Sequence, residues 1–172
     1  MTTTTKTKKP KKDATLRGAD KKEAFHREAE SRVEPFKFVR PDVDLGEAKG
    51  VHYLCASDIL MATVQMIPQG GDNVLHYHPG ADGFWMVLKG RLRFHGPDGL
   101  IGEYGPQEGL LMPRNARYWF ETADPNVEVH LLYVTALTQQ KVQNFRVALG
   151  ESKPGKKKNL RFNYPPGAWM PS

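Results

Sequence analysis

The stretch Gly70–Gly90, GGDNVLHYHPGADGFWMVLKG, sets two histidines one residue apart ahead of an apolar run that ends at a glycine turn. In an extended strand successive side chains point to opposite faces, so His76 and His78 share one face, about 7 Å apart along the backbone, and Tyr77 takes the other. Two imidazoles on one wall can share a metal ion. A His-x-His pair standing alone is more often an ordinary core or surface pair than a metal site, so its meaning depends on what surrounds it.

Outward from this stretch, short apolar runs alternate with Gly, Pro, Asn and Asp from Val51 onward. Strands are expected over residues 52–55, 60–67, 73–78, 84–89, 91–95, 100–104, 109–112, 117–121 and 127–135. Turn signals such as Gly96-Pro-Asp-Gly and Asp124-Pro-Asn lie between them. Eight or nine short strands with hairpin punctuation predict an all-β sandwich or small barrel.

The spacing Gly70, His76, His78, Gly90 resembles the first motif of the cupin superfamily, G-x5-H-x-H-x(3,4)-E-x6-G. Gly109–Tyr118, with Pro113 in place, resembles a shortened form of its second motif. The likeness spans roughly residues 58–136 and implies a cupin-type jelly-roll β-barrel. It also implies a site for a divalent metal (Fe, Mn, Ni or Zn), with two departures. Gly83 stands where the motif has glutamate, and Tyr118 stands where it has its last histidine. Asp82 sits at the shorter spacing the motif allows, and is the third candidate metal ligand beside His76 and His78. From a strand its side chain would point away from the cavity; from a loop it could turn in. Tyr118 is the candidate catalytic residue, either as a metal-bound phenolate or as a neutral hydrogen-bonding group. Carrying the family's strand phase across the hairpin places Trp85, Val87 and Phe120 in an apolar pocket, with His130 a further candidate if its alternation points inward. His52 and His95 read as structural.

The flanks divide the chain further: residues 1–18 as a disordered basic tail, 19–50 as a helix followed by an extended arm, 51–136 as the barrel, and 137–172 as a helix followed by a basic, aromatic tail. Helix formers from Asp20 to Val33, with Glu23 three residues after Asp20, predict a short helix with a capping box. Val142, Phe145 and Leu149 at spacings of three and four predict a second helix over residues 137–149. Leu160, Phe162, Tyr164, Trp169 and Met170 should pack on the barrel or on a second copy. The jelly rolls this chain resembles commonly dimerise through sheet edges, so a homodimer is expected.

The charge pattern bears on partners. Of the net +6, residues 1–34 carry ten Lys or Arg against six Asp or Glu (+4), residues 35–150 ten against twelve (−2), and residues 151–172 five against one (+4). The basic surplus lies in the ends, which argues against a specific nucleic-acid surface on the folded body. The single cysteine, Cys55, allows no internal disulfide and reads as an inert buried thiol. No secretory signal or span of membrane-crossing length is evident, and a soluble cytoplasmic protein is expected. Three functions stay open: a metal-dependent oxygenase- or isomerase-type enzyme, a metal-free barrel binding a small molecule, and a structural or regulatory adaptor.

Overall fold

The computed structural model describes residues 18–138, 145–151 and 158–165. The chain divides into two compact units, residues 1–35 and 36–172. In the first, Gly18–Glu30 forms α1, in which no residue is buried. The helix begins two residues earlier than the sequence predicts, which moves Asp20 from the cap into the first turn, where its charge faces the positive end of the helix dipole. Arg27 Nε donates to Glu23 Oε1 at 2.9 Å, one turn apart.

The second unit is built of strands: β1 (Gly50–Ala56), β2 (Leu60–Ile67), β3 (His76–Tyr77), β4 (Ala81–Lys89), β5 (Leu92–Gly96), β6 (Gly99–Tyr104), β7 (Gly109–Met112), β8 (Trp119–Thr122), β9 (Val129–Leu137), β10 (Val147–Ala148) and β11 (Leu160–Phe162). One layer is a six-stranded sheet in the order β11-β1-β2-β9-β4-β7, antiparallel except where β11 runs parallel to β1. The other combines β6-β5-β8 with the pair β10-β3. His76 and Tyr118 join these two pieces: each donates its backbone N–H to the other's carbonyl, at 3.0 and 2.9 Å. The result is an all-β jelly roll of two layers.

Strand alternation fills the space between the layers. Odd-numbered residues of β4 and β9 point inward and even-numbered ones outward, so Trp85, Val87, Val129, Leu131 and Tyr133 meet Leu92, Phe94, Tyr118 and Phe120 of the facing layer in one core. On the outer face of the large sheet, Leu54, Ala62 and Val64 form a smaller cluster with Phe38, Leu132 and Val134. Cys55 is half-buried at that cluster's edge rather than fully buried.

The helix expected over residues 137–149 is corrected in the described parts of that segment. Leu137 ends β9, and Val147–Ala148 form β10 against β3. Phe145 and Leu149, whose spacing mimics a helical face, flank β10 and share no face in burial: Phe145 is buried and Leu149 exposed. The β-structure expected over residues 73–78 narrows to His76–Tyr77, because Asn73 spends its bonds on Phe120: its N–H donates to the Phe120 carbonyl and its Oδ1 accepts from the Phe120 N–H. Trp169 and Met170 lie outside the described residues. Phe162 and Tyr164 pack on β1, with the Tyr164 ring 5.5 Å from that of Tyr53.

Candidate functional site

The isolated bridge to Tyr118 fixes which way β3 faces. Residues opposite each other in an antiparallel pair project to the same side, so His76 shares the inner face with Tyr118, and His78 follows by alternation. The ring centroids of His76 and His78 are 5.2 Å apart, and that of Tyr118 is 4.4 Å from His76. Each imidazole is oriented by a backbone carbonyl: His76 Nδ1 bonds Val74 O at 2.8 Å and His78 Nδ1 bonds Phe145 O at 2.9 Å. A carbonyl only accepts, so Nδ1 carries the proton, and in the neutral ring Nε2 is left as a bare acceptor. The rings are kept neutral: burial, then the positive charge of Arg146, takes His76 down to about 3, and burial takes His78 down to about 4.

His78 and Tyr118 open onto a crevice completed by Ala81, Gly83, Met112, Pro113 and Tyr133. No point in it clears a water-sized sphere. Tyr133 lies flat on Trp85, ring centroids 3.8 Å apart and planes 7° from parallel. Burial pushes Tyr118 well above the usual phenol range and Tyr133 up to about 12, so both remain neutral hydroxyls. Three buried polar atoms gather around this spot without a protein partner in hydrogen-bonding geometry: Trp85 Nε1, Thr135 Oγ1 and Thr63 Oγ1. Trp85 Nε1 leans toward the Tyr118 oxygen and Thr135 Oγ1 toward that of Tyr133, and each tempers that phenol's rise without completing a regular bond.

Of the residues singled out in the sequence, the fold brings together His76, His78 and Tyr118, with Trp85 behind Gly83. Two others are corrected. Asp82 occupies an outward position of β4, and its Oδ1 accepts the Arg114 N–H at 2.8 Å, so this carboxylate braces the neighbouring turn and faces away from the imidazoles. His130 is on the outward phase of β9, where Nε2 lies 2.7 Å from Glu128 Oε1 and the ring meets Phe38 edge-on at 5.3 Å. Val87 and Phe120 point inward as expected but lie in the sealed core and do not line the crevice. Tyr133, Thr135, Phe145 and Arg146 escaped the sequence reading. The apolar alternation Val129, Leu131, Tyr133 carried the signal for the first two.

The donor set does not fit a resident metal centre of the usual kind. Two imidazoles are oriented by backbone carbonyls, yet among the described residues no group of three His, Cys, Asp or Glu side chains stands ready to hold an ion. Gly83 offers no room for a substitute ligand: a Cβ there would lie 2.9 Å from Tyr133 Cε2 and 3.2 Å from Trp85 Nε1. The nearby charges are also of the wrong sign. Arg146 and Lys49 both act on His76 and His78, and among the described residues no carboxylate acts on either ring.

Among solved structures, the chain is similar to an uncharacterized conserved protein with a double-stranded β-helix domain from Klebsiella pneumoniae (TM-score 0.54, 16% identity, covering 70% of this chain and 93% of that one). This chain has a cupin fold. It is also similar to the cupin domain of Schizosaccharomyces pombe Cnp3 (TM-score 0.51, 17% identity, 59% of this chain and 73% of that one). An RmlC-like cupin from Shewanella frigidimarina gives a TM-score of 0.51 at 18% identity, over 63% of this chain and 95% of that one. No family model matches the sequence, and no curated protein matches it. Among the described residues no helix is long and apolar enough to cross a membrane.

Proposed function

We propose that this cupin binds a small organic molecule at the pole formed by His76, His78, Tyr118 and Tyr133, through hydrogen bonds and without a resident metal. The observation that carries this reading is a pair of buried imidazoles whose Nδ1 atoms are held by backbone carbonyls, beside neutral phenols and unpartnered buried donors, with no carboxylate acting on either ring among the described residues. A buried polar group without a partner is costly, and a ligand that supplies the missing donors and acceptors recovers that cost. The closed crevice is narrower than a water molecule, so binding must be coupled to opening. The element best able to yield is β10, held to β3 by two residue pairs.

A second reading has one observation in its favour. Backbone carbonyls on both Nδ1 atoms are the arrangement that orients imidazoles toward a metal. In that case a bound molecule would have to bring the remaining donors. Elemental analysis of untagged protein purified without chelator separates the two. The proposal expects well under one metal per chain, the same for the parent and a His76→Ala, His78→Ala double variant. Near-stoichiometric metal that the double variant loses would overturn it.

A further inference from the structure

β10 does more than close the edge of β3. Its register pairs Val147 with Tyr77 and Ala148 with His76. Continuing that ladder by one residue sets Arg146 opposite His78, on the face that carries both imidazoles. The side chain is half-buried there, and its charge is felt by His76, His78 and Tyr118. Among the described residues no carboxylate pairs with it, and burial lowers its pKa with only the Tyr118 phenol to oppose. A guanidinium withdrawn from water without a counter-charge is an uncompensated cost in the free protein. Lys49, bonded through Nζ to Gln65 Oε1 at 3.1 Å, adds a second positive charge to the same interior.

We infer that Arg146 makes the site select a small organic carboxylate that also carries a hydroxyl, the carboxylate on Arg146 and the hydroxyl donating to a bare imidazole Nε2. The inference rests on the proposed ligand-binding role of the His76–His78 pole. The two halves of the ligand follow from the two halves of the site. Bare Nε2 atoms repel an anion and accept from an O–H, whereas a planar guanidinium matches a carboxylate with two parallel bonds. The crevice beside His78 and Tyr118 clears no water-sized sphere in the free protein, which favours a small molecule.

Lactate, its neutral amide lactamide, and inorganic phosphate are the probes, with binding followed by chemical-shift changes on the full-length protein. Lactate is expected to bind at least tenfold more tightly than lactamide. Arg146→Gln should erase that preference by weakening lactate far more than lactamide, and Arg146→Lys should restore part of it. His76→Ala should weaken lactate and lactamide alike. Equal affinities for lactate and lactamide, lactate binding that is indifferent to Arg146→Gln, or no saturable lactate binding would each overturn the inference. Phosphate binding more tightly than lactate would overturn the choice of a carboxylate. If lactate binding depended on Arg146 but not on His76, the proposed pole would fail while the role of Arg146 survived.

Discussion

Burial without a carboxylate partner governs how His76 and His78 titrate. Their folded pKa values, about 3 and about 4, lie below the value near 6.5 of an unfolded chain. As pH falls below about 6.5 the unfolded chain therefore takes up protons that the fold refuses. Stability contributed at neutral pH is then lost on acidification, with a slope approaching about 2.7 kcal/mol per pH unit for two such sites. Urea denaturation between pH 7 and 5 should show this decline, and a His76→Gln, His78→Gln double variant should flatten it; equal slopes for both proteins would contradict the burial of neutral rings. Gly83 belongs to the same neighbourhood. Gly83→Glu, the change that would supply the carboxylate of the family motif, drives a side chain into Tyr133 and Trp85. It should destabilise the protein by about 1–3 kcal/mol without raising metal affinity. Denaturation and a metal titration of the variant check both statements, and a stable Gly83→Glu protein that gains metal affinity would show that Tyr133 yields easily.

At the scale of elements, the C-terminal chain returns to the barrel. β11 lies along the edge of β1, Phe162 packs over Gly50, and Asn163 Nδ2 lies 2.8 Å from His52 Nε2. Truncation before Leu160 should cost about 2–4 kcal/mol through lost apolar burial by the half-buried Phe162 and Tyr164 and a bared sheet edge. An unchanged denaturation midpoint would contradict that docking. The strands of the barrel were legible because short apolar runs are set off by turn residues, as in β2, β4 and β7; strand alternation placed His76 and His78 on one wall, and the family resemblance added Tyr118. Two things were not legible. The positions of Asp82, on strand or loop, and of His130, inward or outward, were left open by the sequence; both prove outward, where they meet the Arg114 N–H and Phe38. The segment after Arg146 has helix-forming composition, and only pairing with β3, some seventy residues earlier, makes it a strand. Reading it as a helix hid the cation whose charge acts on His76 and His78.

For the whole molecule, the charge surplus in the chain ends and the apolar exposure of the sheet edge bear on assembly. On the outer face of the large sheet Phe84 (43% exposed) pairs across the strands with Leu111 (66% exposed), and β7 is an edge strand. We propose that this edge is the contact of a homodimer. Sedimentation should give a dimer that a Phe84→Glu, Leu111→Glu variant converts to monomer, and a monomeric parent at micromolar concentration would contradict it. In the proposed site His76 and His78 present neutral, unmetallated Nε2 acceptors to an organic ligand. The most direct test is 15N NMR of the two imidazoles near pH 6, before and after one equivalent of zinc. The account predicts Nδ1-protonated rings whose Nε2 resonances stay in the bare-acceptor range in both spectra; a zinc-dependent shift of both Nε2 resonances to the coordinated range would contradict it.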